Sequence, residues 1–114
     1  MNNDSKKDDL EFVRHIIEAI KLIETYLKNV KKEEFIGNPE KRDAVIRELT
    51  VIGEAAKSIS DPFRSKNPSI EWKDLAAVRD IVVHQYFKID LDIVWDTVKN
   101  NLPTLKKKLE QIMP

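Results

Sequence analysis

The stretch DDLEFVRHIIEAIKLIETYLKNVK, residues 8–31, decides the fold of this chain. Its large apolar residues recur at steps of three and four, which return to one face of an α-helix. Arg14 and His15 fall away from the centre of this apolar face, so we expect His15 to be a solvated surface residue. The pattern predicts an amphipathic helix over residues 8–31. The apolar face is formed by Leu10, Val13, Ile17, Ile20, Ile23 and Leu27.

Three more segments carry the same helical period. Asn38 followed by Pro39 is typical of a helix N-cap and first turn, and this second helix is predicted to reach about Ser60. A third helix is predicted from residue 71 or 72 to residue 84 or 85. Asp90 is predicted to cap a fourth helix ending near Met113, which Pro103 should kink or interrupt.

The connections predicted between these helices are short. Residues 31–40, KKEEFIGNPE, are predicted to be a loop, and residues 61–68 a turn-rich linker. Four helices with short connections predict an all-α, antiparallel up-and-down bundle. Gly53 interrupts the second helix and is predicted to be a contact point between helices, because glycine inside a helix costs about 1 kcal/mol relative to alanine unless something compensates.

Composition narrows the class of protein. The 114 residues fit one domain, 1–114, and we expect residues 1–8 to be a flexible N-terminus. The chain has no cysteine, which excludes disulfides and thiolate metal sites. Twenty basic and 20 acidic side chains cancel, so any site for a polyanion must be a local patch. No apolar run approaches the ~18 residues that cross a bilayer, and we expect a cytoplasmic protein without a membrane partner.

One cluster, RDIVVHQY at residues 79–86, combines residue types suited to phosphodiester chemistry. Arg79 offers forked donors to phosphate oxygens, and His84 titrates near neutral pH and can move a ribose proton. Asp80 lies four residues before His84 and can orient its imidazole. Two histidines make a metal site within one chain improbable, so we expect neither metal nor cofactor. Spacing alone favours the alternatives, a solvated helix face or a C-terminal cap.

The cluster resembles the R-x4-H-x-Y motif of the HepT-like toxins of the HEPN (higher eukaryote and prokaryote nucleotide-binding) superfamily. VIGEAAKSIS at 51–60, IEWKDLAAVRD at 70–80 and KIDLDIVWDTVKNNLPTLKKKL at 88–109 resemble other family segments. Together they cover the chain from about Leu10 onward. Asp80 stands where the family often has asparagine, which puts only the use of that position in doubt.

The resemblance implies a four- to five-helix HEPN-like homodimer in which two motifs share a cleft. It also implies a metal-independent endoribonuclease, the toxin of a type VII-like toxin–antitoxin pair, with transfer RNA as a suggested substrate class. Arg79 would hold the scissile phosphate and His84 would act as general acid and base. Asp80 would support them. Tyr86 would be the residue that the antitoxin, a minimal nucleotidyltransferase (MNT), modifies with AMP.

Other features of the sequence leave alternatives open. Glu54 is a secondary candidate, which either pairs with Arg79 or His84 or merely meets water. Net neutrality keeps a second function class in view, a non-catalytic helical dimerisation module that binds a nucleotide or a partner protein. A local basic rim around the cleft is a further expectation, whereas the lysines of 106–108 are expected on a solvated face. The rim candidates are Arg42, Arg47, Arg64, Lys66 and Lys73.

Overall fold

Seven α-helices and one π-helical turn make up the part of the chain that the computed structural model describes, residues 3–83 and 90–114. The resemblance and the helical periods predicted an all-α bundle, and this prediction is confirmed. The helices are α1 (Asn3–Tyr26), α2 (Lys32–Ile36), α3 (Pro39–Ser58), α4 (Asp61–Lys66), α5 (Trp72–Val83), α6 (Leu91–Asp96) and α7 (Leu102–Ile112), and the π-turn (Thr97–Asn101) joins α6 to α7.

The first helix is displaced toward the N-terminus relative to its prediction. It begins at Asn3 rather than Asp8 and ends at Tyr26 rather than near Lys31. Asn29 adopts a positive φ of 61°, a conformation that ends helices and that asparagine tolerates better than most residues. The flexibility expected of residues 1–8 stays a prediction.

Two short helices occupy segments that were predicted to be loops, and both predictions were wrong. Each short helix is anchored by one phenylalanine, Phe35 in α2 and Phe63 in α4, and both are buried. Ser60 caps α4, because its Oγ accepts the N–H of Phe63 at 3.4 Å. A single apolar anchor shows no period in a sequence, which is why these helices escaped prediction.

The predicted helix starts at Asn38 and Asp90 are confirmed. The Asn38 side chain accepts the N–H of Lys41 at 3.1 Å, with Pro39 in the first turn. The Asp90 carboxylate accepts the N–H groups of Asp92 and Ile93. The interruption predicted at Pro103 takes the form of the π-turn, which ends immediately before the α7 turn that contains the proline.

Contacts at both ends of α1 and α3 show that these helices run antiparallel. At one end, Nζ of Lys41 donates to the carbonyl of Tyr26 at 3.4 Å. At the other, Asp9 is buried and accepts both the N–H and the Oγ–H of Ser60, at 2.8 and 2.6 Å. The Asp9–Ser60 pair therefore fixes the start of α1 against the junction of α3 and α4.

The hydrophobic core is one cluster, and α3 lies at its centre, packed against both α1 and α5. Phe35 packs on Trp95 with ring centroids 5.5 Å apart, and Phe63 meets Trp72 edge to face. The indole N–H of Trp72 donates to the carbonyl of Asn67, so this tryptophan belongs to the core. Burying such side chains contributes about 1.5–3 kcal/mol each.

Among the helices that the structure describes, none is long and apolar enough to span a bilayer.

Candidate functional site

The candidate site is built where α3 crosses α5 at its closest approach. Gly53 of α3 is buried, and a Cβ placed on it would lie 2.3 Å from Cβ of Arg79 and 2.8 Å from its backbone nitrogen. Real side chains do not tolerate such distances, so only glycine lets the helices come this close. The prediction that Gly53 is a contact between helices is confirmed, and its partner is Arg79 itself.

Two ion pairs connect α3 and α5 beside this contact. Nε of Arg79 contacts Oε1 of Glu54, and Nζ of Lys57 lies 3.6 Å from Oδ1 of Asp80. Glu54 and Lys57 are three residues apart and therefore share one face of α3. We call these four residues the crossing cluster. Of the alternatives left open for Glu54, the structure shows the pairing with Arg79.

The crossing cluster is partly shielded and partly open. Within the described ranges, Nε of Arg79 and Oδ1 of Asp80 are buried atoms without an aligned hydrogen-bond partner, so ionic attraction holds them. The Arg79 side chain keeps 28% of its surface exposed. A guanidinium carries five N–H donors, and the Nε side of this one lies against Glu54. Arg79 is therefore held in place yet retains donors for an anion such as a phosphate.

His84 and Tyr86 lie outside the residues that the structure describes, between its two ranges 3–83 and 90–114. Their predicted roles stay predictions. The structure does show that α5 continues to Val83, the residue immediately before His84. The arginine end of the motif is thus built into the helix crossing.

Arg64 was predicted to belong to a basic rim, but its side chain bonds to backbone carbonyls of its own fold instead. Its Nε donates to the carbonyl of Ile59 at 3.1 Å and its Nη2 donates to the carbonyl of Ala56 at 2.7 Å. These bonds satisfy carbonyl groups at the end of α3, so Arg64 caps a helix. His15 is exposed and lies 3.3 Å from Glu11, as expected of a solvated residue.

Of the lysine run, only Lys107 is exposed as predicted. Lys106 is half-buried, and its Nζ lies 2.7 Å from Oε1 of Glu24, which ties α7 to α1. Lys108 lines a groove that lies between α5 on one side and the π-turn and α7 on the other. The volume of this groove is about 490 Å³. These lysines therefore form no continuous basic surface.

The same groove contains two carboxylates, Glu71 and Asp74. Hydrogen bonding to Asp74, and then its negative charge, raises the pKa of Glu71, while Lys108 acts in the opposite direction. Across residues 3–83 and 90–114, no three histidine, aspartate or glutamate side chains are grouped to hold a metal ion. No residue of the crossing cluster is among those that line this groove.

Lys57 is the one member of the crossing cluster that sequence reasoning missed. The signal was present, because Lys57 follows Glu54 by three residues and a helix places both on one face. What the sequence could not supply was the neighbour across the crossing, since that depends on how Gly53 sets the approach of α5.

Comparison with known proteins gives the family. The model of the HepT-like ribonucleases matches residues 16–112. The chain is 38% identical over 107 residues to the Thermococcus cleftensis protein named "Probable ribonuclease HepT", covering 94% of this chain and 97% of that one. It is 40% identical over 106 residues to a Methanocaldococcus jannaschii protein named as a candidate RNase, covering 93% and 97%.

One relative is about twice as long as the part of it that this chain matches. The chain is 41% identical over 108 residues to a M. jannaschii protein named as a gamma-glutamylcyclotransferase and candidate RNase, and it spans 95% of its own length but only 49% of that protein. None of the solved structures matches the chain significantly. On the family model and the relatives of equal length, this chain belongs to the HepT-like ribonuclease family.

Proposed function

We propose that this protein is a metal-independent endoribonuclease that acts through Arg79 and His84. The observation that carries the proposal is the placement of Arg79, which the Gly53 contact and Glu54 hold at the helix crossing while part of its side chain stays open. A fixed guanidinium suits the oxygens of a phosphate that gains charge in the transition state. The names of the relatives support RNA as the substrate.

The proposed reaction needs no group beyond the chain and the RNA. His84 takes the proton of a ribose 2′-hydroxyl, whose oxygen attacks the adjacent phosphorus. The bond from phosphorus to the 5′-oxygen breaks, and that oxygen receives a proton from an imidazolium. The products are a 2′,3′-cyclic phosphate and a 5′-hydroxyl end. Arg79 stabilises the charge on the phosphate oxygens throughout.

The test is RNA cleavage in the presence of EDTA by the wild type, Arg79→Ala, His84→Ala and Arg14→Ala. We expect the first two variants to lose about 10²–10⁴-fold in rate. Arg14→Ala removes an exposed arginine on α1 that also pairs with a glutamate, and it should cleave like the wild type. Equal rates for all four proteins, or cleavage abolished by EDTA, would contradict the proposal. RNA binding without cleavage would instead favour the non-catalytic module.

The proposed biological role is that of a toxin in a type VII-like pair, silenced by an MNT antitoxin that transfers AMP to Tyr86. The tyrosine lies two residues after the proposed catalytic histidine. An AMP group would add bulk and negative charge there and repel the RNA backbone. Co-expression with an MNT nucleotidyltransferase should raise the intact mass by AMP units. Tyr86→Phe should abolish the increase, and an unchanged increase would remove Tyr86 from this role.

The proposed assembly is a homodimer whose two motifs share one cleft. Its support is the sequence resemblance, which implies that one motif alone is incomplete. Sedimentation equilibrium should give twice the monomer mass of 13.3 kDa. A monomer that cleaves RNA at the full rate would overturn this part of the proposal and leave the chemistry intact.

A further inference from the structure

Lys57 is a second cation at the α3–α5 crossing, and nothing in the proposed reaction uses it. Its Nζ lies 3.6 Å from Oδ1 of Asp80, and the side chains of Lys57 and Asp80 are 41% and 44% exposed. An exposed ion pair of this kind contributes little to stability. The stability of the fold therefore gives little reason for a lysine at position 57.

The chemistry of the contact leaves Lys57 able to bind another anion. At 3.6 Å the ammonium and the carboxylate attract each other without forming a hydrogen bond. The ammonium has three donors, so Asp80 orients it and leaves donors for a further oxygen. Because 41% of the Lys57 side chain is exposed, an incoming phosphate can join the carboxylate at the ammonium.

The placement relative to Arg79 points to one particular anion. Arg79 pairs with Glu54, and Lys57 lies one helical step further along the same face of α3, where side chains are about 5–6 Å apart. Both cations are thus anchored at one crossing, in a chain whose net charge is zero. A nucleic-acid backbone presents successive phosphates at steps that such a pair of cations can follow.

We propose that Lys57 binds the RNA phosphate next to the one that Arg79 holds. The inference rests on the proposed function and extends it from the scissile linkage to the neighbouring nucleotide. A contact to the backbone sets the register of the strand without reading its bases. Lys57 therefore contributes to affinity for any single-stranded sequence and leaves the preference among sequences unchanged.

The test measures affinity for a 2′-O-methylated single-stranded RNA, which lacks the attacking hydroxyl, by fluorescence anisotropy between 0.05 and 0.5 M salt. One lost phosphate contact lowers the slope of log affinity against log salt by about 0.7 for single strands. Lys57→Gln should therefore bind about fivefold more weakly at 0.1 M salt, with the difference vanishing toward 1 M. Lys57→Arg should keep the wild-type slope.

The matched control is Lys107→Gln, which removes the same charge from an exposed position of α7. Its slope should equal that of the wild type, because no charge at the α3–α5 crossing changes. Equal slopes for Lys57→Gln and Lys107→Gln would overturn the inference, as would a wild type that fails to bind.

Cleavage assays on the same proteins separate this inference from the proposed function. Cleavage that depends on Arg79 together with an unchanged slope in Lys57→Gln would overturn only the role of Lys57. A slope that depends on Lys57 in a protein that cleaves no RNA would overturn only the nuclease.

Discussion

Gly53 has no room for a side chain, because Arg79 occupies the space where its Cβ would stand. Alanine normally stabilises a helix interior by about 1 kcal/mol relative to glycine. Here the added methyl would overlap the Arg79 backbone, so we expect Gly53→Ala to lower the free energy of unfolding by about 1–3 kcal/mol. Urea denaturation measures the change.

The control for this substitution is the other glycine, Gly37. Its φ is −86°, and an added Cβ would meet only the carbonyl oxygen of Glu33, at 3.3 Å. Gly37→Ala should shift stability by no more than about 0.5 kcal/mol. Stabilisation by Gly53→Ala would show that α3 and α5 do not approach as closely as described.

Asp9 is a second residue whose contacts make a sharp prediction. Replacing it by alanine leaves the N–H and the hydroxyl of Ser60 without their acceptor in a mostly buried position. We expect Asp9→Ala to lower the free energy of unfolding by about 1–3 kcal/mol. Asp8→Ala, at the exposed neighbouring position, should change it by less than about 0.5 kcal/mol. Equal effects in urea would contradict the role of the Asp9–Ser60 pair.

For single residues, the sequence indicated which ones matter better than it indicated which residues they contact in the fold. Arg79 was singled out by its motif, and Gly53 by the cost of glycine inside a helix. Lys57 and Asp9 were not, because a charged residue near a helix end is unremarkable until its partner across the fold is known. Those partners lie 23 and 51 residues away in sequence, beyond the reach of helical spacing.

Among the helices, α7 contains a proline in its first turn, and its position explains how the fold accommodates it. Pro103 lies in the first turn of α7, directly after the π-turn, where a missing N–H costs little. Pro103→Ala should therefore change the free energy of unfolding by less than about 1 kcal/mol. Lys107→Pro, at an exposed site in the middle of α7, should lower it by about 3 kcal/mol or more. Urea denaturation followed by circular dichroism distinguishes the two, and a large loss in Pro103→Ala would mean that the proline maintains the π-turn.

The carboxylates at the start of α5 make stability depend on pH. Because Asp74 raises the pKa of Glu71, the folded state favours protonated Glu71 more than the unfolded state does. This contribution to stability is present below the ordinary glutamate pKa of 4.5 and is lost as pH rises through the raised value. We therefore expect Glu71→Gln to raise the urea midpoint at pH 7 and to leave it unchanged below about pH 4.

The control for Glu71→Gln is Glu110→Gln in α7. Glu110 follows Lys106 and Lys107 by four and three residues, so these lysines attract its carboxylate. The carboxylate of Glu71 is instead repelled by that of Asp74. Its amide variant should lower the urea midpoint at pH 7. A lowered midpoint in Glu71→Gln as well would contradict the repulsion from Asp74.

Element prediction succeeded where an apolar face repeats and failed where it does not. The long helices α1, α3 and α5 each present several turns of one face, and their existence followed from the period. The short helices α2 and α4 each bury one phenylalanine, which fixes a helix only after the rest of the core has formed around it. Their stability is therefore tertiary, and no local pattern announces it.

At the scale of the whole molecule, the spacing of Arg79 and His84 bears on how two motifs would combine. Residues five apart on an ideal helix, as Arg79 and His84 are, point about 140° apart. A single ideal helix running through both positions would therefore not direct the two side chains to one spot. In the proposed homodimer, Arg79 of one chain would instead face His84 of the other across the dimer axis.

Mixed dimers can test whether each site takes its arginine and its histidine from different chains. Arg79→Ala and His84→Ala chains, carrying different affinity tags, are co-expressed and the mixed dimer is purified through both tags. If each site draws its arginine from one chain and its histidine from the other, one of the two sites regains a full set, and cleavage should recover to roughly half the wild-type rate. If each site uses a single chain, both sites stay defective, and the mixed dimer cleaves no faster than the parent variants. The second result would contradict the shared cleft while leaving Arg79 and His84 as the reacting pair within each protomer.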